Sequence, residues 1–455
     1  MTIKHVRIFV YPGQYQTCLS AQKALYYFGG GRDMISKYQQ IIQDIVTGIE
    51  EHRFKRGEKL PSIRKFSEHY HCSKDTVQKA MLELKYQNRI YAVEKSGYYI
   101  LEDQDFQDKT VSLNPEDFLQ LPYEDFRTCV HESLIGRENY LFNYYHQQEG
   151  LEELIASLHQ LLMDYHVYCQ KDQLVITAGS QQALYILNQM QIAAGKEEVL
   201  IEEPTYYRMK HLLDQQALPY QTVERTLDGV DVTQIEHIFQ RGKIKYFYTI
   251  PRLHNPLGTT YTSKTQQIIL QLAEKYDVYV IEDDYLADFD SAKTLPLHYL
   301  DNHDRVIYIK SFTPTLFPAL RLGGVVLPHS LRESFLQHKN LIDYDTNLIM
   351  QKALSLYIDN GMFRRNTRHL HQQKEKQAAA MRKSLSHYQL PYPYHLSHEQ
   401  LTIQLPKNKI TAHLKHSIAS GSIIPGLSYD YFQLPYSKSF ENELQAISEI
   451  FKKLS

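Results

Sequence analysis

No run of this sequence approaches the eighteen or so consecutive apolar residues that a membrane span requires, so a transmembrane chain is not expected. Cysteine is scarce. Cys18, Cys72, Cys129 and Cys169 are scattered, with no CxxC pair and no His grouping nearby, which speaks against a zinc site or a disulfide framework and fits a reducing cytoplasm. Net charge is nearly absent too, at −2. That excludes a chain basic throughout, so any nucleic-acid binding has to come from a local patch. The N-terminus lacks the basic, apolar and small-residue order of a signal peptide. What is present is ordinary for a globular protein: 43% hydrophobic and 22% charged residues over 455 positions, a length that suits a small domain joined to a large one.

Residues 1–33 carry no amphipathic pattern, which begins only after Met34. The glycines at 29–31, just ahead of that methionine, are what in-frame translation of a purine-rich ribosome-binding site would give. The stretch is read as an extension ahead of a native start at Met34, or alternatively as a poorly ordered N-terminal arm.

Residues 34–102 read as a helix-turn-helix with a wing. Tyr38, Ile41, Ile42, Ile45 and Ile49 fall at helical spacing in a first helix that ends near Phe54. Pro61-Ser62 starts a second helix, Ile63 to Tyr70, and Ser73 caps a third in which Val77, Ala80, Met81 and Leu84 form the buried face. Asn88 suits a left-handed helix end, and Ile90 to Val93 and Tyr98 to Leu101 alternate as two strands around Lys95-Ser96-Gly97. Between Arg53 and Lys79 there are eight Lys/Arg against three Asp/Glu, a local basic face that the whole-chain balance conceals. Arg64, Lys65 and Lys74 would neutralise phosphates, while Ser73, Thr76 and Gln78 could reach base edges.

The acidic stretch 102–125, with eight Asp/Glu and one Lys, reads as a linker. Beyond it, residues 126–455 alternate strands with helices, which predicts a mostly parallel sheet covered on both faces, and from about Leu331 a smaller C-terminal lobe. The loops at the strand ends carry chemistry. Ala178-Gly179-Ser180-Gln181 places N–H groups and a hydroxyl where an anion would bind. Glu203-Pro204-Thr205-Tyr206 offers a ring for stacking, His254-Asn255-Pro256-Leu257-Gly258 an amide in a tight turn, and Asp283-Asp284-Tyr285 a carboxylate and a phenol after an apolar strand. A carboxylate held against a pyridine nitrogen favours its protonated form and makes the ring an electron sink.

The head, from Gly57 through LPS-x-R, S-K-x-T-V and the wing glycine, resembles the GntR-type winged helix. The resemblance implies operator contacts at Arg64, Ser73, Lys74, Thr76, Gln78 and Gly97, and Ser62, Lys65 and Lys95 join them as DNA-binding candidates. The larger part resembles the fold-type I, pyridoxal-phosphate-dependent aminotransferases through most of residues 140–330. Carried over residue by residue, that implies Ser180, Gln181, Ser311 and Arg321 around the phosphate, Tyr206 over the ring, Asn255 and Tyr285 at the ring hydroxyl and Asp283 at the ring nitrogen. Head and body together resemble the MocR subfamily of bacterial regulators, the group of PdxR- and GabR-type activators, in which Arg208 matches an effector-binding position. The implied architecture is an N-terminal winged helix-turn-helix at 34–102, a linker at 103–125 and a fold-type I aminotransferase-like α/β domain with a small C-terminal lobe at 126–455. The implied protein is a cytoplasmic homodimer with operator DNA as its partner and a small-molecule effector.

Two departures alter the expectation. The family writes Ser-x-x-Lys, whereas here Ser311-Phe312-Thr313 is followed by Pro314, which has no amine and no backbone N–H. Pyridoxal 5'-phosphate could then be held only non-covalently, no aldimine is expected, and no catalytic residue is assigned. Lys310 stands four residues earlier, about 13 Å along an extended strand, and reads either as a solvated strand end or as a substitute lysine in an active enzyme. Near the C-terminus, Gln433-Leu434-Pro435-Tyr436 stands where the family has the Arg-Leu-Gly-Phe of a carboxylate clamp. The expected protein is a regulator whose aminotransferase-like domain dimerises and senses. An active aminotransferase with a DNA-binding appendage and a purely structural dimerisation domain are the alternatives.

Overall fold

The computed structural model describes residues 36–51, 53–55, 57–86, 89–93, 96–101, 115–135, 141, 147–290, 294–407, 414, 418 and 420–454. The expectations for residues 1–33, Asn88 and Lys95 therefore lie outside the described residues. The chain divides into two compact units, Met1–Asp103 and Gln104–Ser455.

The first unit is built from helices α1 (Lys37–Glu50), α2 (Ile63–Tyr70) and α3 (Lys74–Tyr86) and from strands β1 (Ile90–Val93) and β2 (Gly97–Ile100). Ser36 and Gln39 close a capping box at the start of α1, Ser62 accepts from the Lys65 N–H at the start of α2, and Ser73 accepts from the Thr76 N–H at the start of α3. His71 takes a left-handed conformation (φ 48°) that ends α2 and turns the chain into α3. Ile41, Ile45, Ile49, Phe66, Val77, Met81, Leu84 and Ile100 share one buried core. The two strands pair antiparallel, Val93 opposite Gly97, and Lys59 bridges to Tyr99 on the hairpin's other edge. Helix α1 stops at Glu50, short of Phe54, whose ring lies where a side chain on Gly48 would be.

In the second unit, helix α4 (Pro115–Leu134) runs through residues that the acidic composition assigns to the linker. This corrects the expected linker end at 125. The helix is held there by tertiary partners that composition does not report: Phe126 and Cys129 are buried, and Asp125 pairs with Arg365. Helix α5 (Glu152–Met163) leads into an eight-stranded sheet in the order β3-β10-β9-β8-β7-β4-β5-β6. Its strands are β3 (Leu174–Thr177), β4 (Glu198–Glu203), β5 (Tyr220–Thr226), β6 (Gly229–Val230), β7 (Ile244–Thr249), β8 (Tyr279–Asp283), β9 (Val306–Ser311) and β10 (Gly323–Val326). The run β9-β8-β7-β4-β5 is parallel, β10 pairs antiparallel with both β3 and β9, and the two-residue β6 pairs antiparallel with β5 at the far edge. Every residue of β3, β7, β8, β9 and β10 is buried, the continuous pattern of strands covered on both faces. The covering helices are α6 (Ser180–Gln189), α7 (Tyr207–Gln215), α8 (Val232–Phe239), α9 (Ser263–Lys275), the one-turn α10 (Leu297–Leu300) and α11 (His329–Asn340). Helices α12 (Leu348–Asp359) and α13 (Met362–Leu385) lead to the C-terminal lobe. There β11 (Tyr394–Leu396), β12 (Gln400–Pro406), β14 (Tyr429–Pro435) and β13 (Ser422–Pro425) form a second sheet, and α14 (Phe440–Leu454) packs on the same core.

Lys310 is not a solvated strand end. It is fully buried on β9, and its Nζ donates to Asp288 Oδ2 at 2.7 Å. The Tyr165 and Thr315 hydroxyls donate to the same carboxylate, so the buried pair is hydrogen-bonded as well as neutralised. Composition at 310 shows a charge; the opposite charge arrives from a loop more than twenty positions away. Lys310→Met, which leaves Asp288 buried without its cation, is expected to lower stability by about 3–5 kcal/mol in urea unfolding followed by far-UV circular dichroism. A Lys310→Met/Asp288→Leu pair is expected to recover most of that loss.

Candidate ligand-binding site and DNA-facing helices

The sheet's connectivity builds one end of a cavity. Gly323, at the start of β10, lies opposite Thr177 of β3 and opposite Ser311 of β9. The loop after β3, the end of β9 and the residues just ahead of β10 therefore meet: Gly179-Ser180-Gln181, Ser311 and Arg321. Arg321 adopts the left-handed conformation (φ 51°) and donates from Nη2 to the Ala178 carbonyl at 3.2 Å. Gly179 is at φ +83°, and a Cβ there would come within 3.2 Å of the Arg321 guanidinium, so the glycine is required both by conformation and by the approach of that cation. The two β10 glycines are limited by space: a Cβ on Gly323 would lie 3.1 Å from the Lys310 carbonyl oxygen and one on Gly324 2.5 Å from Leu158. The N-terminus of α6, the Ser311 hydroxyl and the guanidinium form a donor-rich end suited to an anion.

The carboxyl ends of the parallel strands supply the rest, as expected for ligand sites in open α/β sheets. Tyr206 follows β4, Ile250 and Asn255 follow β7, Asp283 ends β8 and Tyr285 follows it. All converge on one cavity of about 480 Å³. Ser180, Gln181, Tyr206, Arg208, Asn255, Asp283, Tyr285, Ser311 and Arg321, each singled out from sequence, line it, and so does Pro314. Gly179, Ile250, Thr313 and Pro318 complete the wall; the first was visible as part of a loop motif, while the others carry no chemical signal of their own.

Asp283 is the acceptor at the far end. Its Oδ2 accepts from the buried Tyr248 hydroxyl at 2.8 Å, whereas Oδ1 has no partner among the described residues. Burial pushes the carboxyl up to about 7, against a weaker lowering by the Tyr248 hydrogen bond. Tyr248 was missed from sequence, because a strand buried on both faces gives no sign of which phenol faces a carboxylate. At the other end Gln181 Nε2 is likewise buried without a partner among the described residues. An orphaned acceptor at one end and an orphaned donor at the other, beside a guanidinium, match a flat heterocycle carrying an anion: pyridoxal phosphate fits this donor set. Burial also pushes the Tyr285 hydroxyl up, and the Asn255 side chain is hydrogen-bonded to it.

In the first unit Ser62, Arg64, Lys65, Ser73, Lys74 and Gln78 are exposed and Thr76 half-buried along α2 and the start of α3. Ser62 and Ser73 spend their hydroxyls partly on capping, Ser73 and Thr76 share a 2.9 Å hydrogen bond, and Arg64 pairs with Glu68 on the surface. Gly97 sits at φ +132° at the hairpin tip, a conformation that favours glycine.

The raised Asp283 value has a sign that can be measured. The folded chain keeps a proton there up to about pH 7, whereas the unfolded chain releases it near 3.8. The folded state therefore loses stability from this group as pH rises through that window, and the loss is complete above it. Asp283→Asn, which cannot ionise, is expected to melt a few degrees above the parent chain at pH 8, with the gap shrinking as the pH is lowered towards 5, in differential scanning calorimetry without ligand.

Residues 109–395 match the family Aminotransferase class I and II, and residues 37–100 match Bacterial regulatory proteins, gntR family. The chain is similar to the uncharacterized HTH-type transcriptional regulator YcxD of Bacillus subtilis (strain 168), with 39% identity over 340 residues that cover 73% of this chain and 76% of the relative. It is similar to the probable rhizopine catabolism regulatory protein MocR of Rhizobium meliloti, with 28% identity over 257 residues, 55% of this chain and 50% of that one. Kynurenine aminotransferase from Pyrococcus horikoshii shares the fold, with a TM-score of 0.66 at 21% identity, over 83% of this chain and 94% of that one. A multiple substrate aminotransferase from Thermococcus profundus does so with a TM-score of 0.65 at 22% identity, over 74% of this chain and 89% of that one. The chain thus belongs to the aminotransferase class I and II family and, through its gntR-type head, to the MocR-like group of GntR DNA-binding regulators.

Proposed function

We propose that the aminotransferase-like domain of this regulator is a sensor that has given up catalysis, dimerises, and holds pyridoxal phosphate or a ligand of like shape without a covalent bond. The carrying observation is Pro314, which lines the cavity at the position where the family has its lysine while the polar groups around it are retained. When bound, pyridoxal phosphate supplies an aldehyde and a protonatable pyridine ring to such a cavity. Ser180, Gln181, Ser311 and Arg321 would bind its phosphate, Tyr206 would cover the ring, Asn255 and Tyr285 would orient the ring hydroxyl, and Asp283, held by Tyr248, would keep a proton at the ring nitrogen. Arg208, exposed at the cavity, would meet an effector's carboxylate.

Lys310 supports this reading over an active enzyme. Successive strand residues face opposite sides of a sheet, so Ser311 reaches the cavity while Lys310 points away to Asp288. Its ammonium is committed to a buried carboxylate, and a nucleophilic amine has to be free. For dimerisation, beyond the family's habit, Leu341 and Ile342 stand exposed in the segment after α11, where Asp343 accepts from Gln182 beside the cavity. In the head, Arg64, Lys65 and Lys74 would engage phosphates and Ser73, Thr76, Gln78 and the wing tip would read the operator, in the cytoplasm where that DNA lies.

Titration with pyridoxal phosphate, followed by absorbance and isothermal calorimetry, is expected to show binding that Asp283→Ala or Arg321→Ala abolishes. Borohydride treatment is expected to add no cofactor mass to the parent chain, whereas Pro314→Lys should gain a reducible adduct at residue 314. An adduct on Lys310 of the parent chain would end the sensor reading. For the head, Arg64→Ala and Lys74→Ala are each expected to weaken operator binding and to reduce the salt slope of log K by about 1 in fluorescence anisotropy.

A further inference from the structure

The turn that presents Asn255 to the cavity is gripped from two sides. From within the large sheet, His254 Nδ1 accepts from the Leu257 N–H at 3.3 Å, and the Gly258 N–H donates to the His254 carbonyl at 2.5 Å. His254 is fully buried, burial pulls its pKa below the ordinary value, and while Nδ1 accepts from Leu257, Nε2 lies 3.3 Å from Glu202 Oε2. From the C-terminal lobe, Gln433 Nε2 on β14 and Gln400 Nε2 on β12 both donate to the Pro256 carbonyl, at 2.5 and 3.1 Å, and the ring of His395 lies 3.1 Å from the Gly258 carbonyl. A Cβ on Gly258 would come within 2.8 Å of Ser397, so turn and lobe meet at backbone range. A second cavity, of about 200 Å³, lies between them and shares Asn255 and Tyr285 with the first.

A carbonyl oxygen has two lone pairs, and two amides fill those of Pro256. Each glutamine turns its nitrogen to that carbonyl and so commits one of its two N–H donors to the protein's own backbone. We infer that Gln433, helped by Gln400, is a positioning residue for Asn255: it pins the Asn255–Pro256 turn to the C-terminal lobe, so that the seating of the lobe and ligand contact at Asn255 are one linked equilibrium. Gln433 stands where the related enzymes carry a clamping arginine, and here its contact is with the protein's own backbone. Ligand held by Asn255 would favour the seated lobe, and a loosened lobe would weaken that hold, by the same factor in each direction.

The ligand half of this inference rests on the proposed sensor reading, and the test separates the two. In hydrogen exchange without ligand, Gln433→Leu is expected to speed exchange of the Leu257 and Gly258 amides about 3- to 10-fold, the range of one net hydrogen bond. The paired amides of β12 and β14 should stay as in the parent chain, and Gln433→Arg, which can still donate, should restore slow exchange at the turn. Unchanged exchange at the turn, or equal loosening of the whole C-terminal sheet, would overturn the inference. With pyridoxal phosphate as the probe, Gln433→Leu is expected to weaken binding by a similar factor, and Gln433→Leu/Asn255→Ala to bind no more weakly than Asn255→Ala alone. Losses that multiply would mean that Gln433 does not act through Asn255. Absence of binding by the parent chain would sink the sensor reading, while the exchange measurement would still decide the clasp.

Discussion

The antiparallel insertion of β10 between β3 and β9 is the constraint on which the site depends. Two glycines allow it, since side chains at 323 and 324 would strike the neighbouring backbone and Leu158. With β10 in place, the loop after β3, the hydroxyl ending β9 and the Arg321 guanidinium meet at one end of the cavity although 141 positions separate Ser180 from Arg321 in the chain. The parallel strands then add their carboxyl ends in order, which brings a carboxyl to the opposite end. Polarity along the cavity, donors at one end and an acceptor at the other, thus follows from sheet order.

Charge burial is the second theme. Lys310–Asp288 and Arg225–Glu202 are ion pairs taken fully out of water, and each is surrounded by hydroxyls that fill the remaining lone pairs. Asp283 differs: it has one hydroxyl, no cation partner among the described residues, and a raised pKa. An unpaired buried carboxyl costs stability, and such a cost persists where a ligand is meant to complete the pairing. The same logic separates two lysine-relevant positions. Lys310 has its counter-ion within the protein, whereas Pro314 faces the cavity with no polar group to offer.

Much of the local structure was legible because it rests on short-range chemistry. Ser62 and Ser73 cap the helices they precede, the wing strands alternate about a glycine, and the buried strands of the large sheet read as apolar runs. Strands β5 and β10 show no such apolar run in the sequence: the first is polar and half-buried, and the second opens with two glycines. Helix α4 escaped for a related reason, since its acidic start hides a buried face that is paired through Arg365.

Residue type alone determined that position 314 carries no amine and that the head presents a basic helix-turn-helix, conclusions that need only covalent chemistry and local spacing. That nine named side chains suit a cofactor-like ligand came from the resemblance to the aminotransferases and the MocR group. Tertiary structure decided that the nine share one cavity, that Lys310 is committed elsewhere, that burial holds a proton on Asp283 against the opposing Tyr248 hydrogen bond, and that Gln433 grips Pro256. Each of these depends on a partner far away in the chain and on the low dielectric of the interior, neither of which is written at the position concerned.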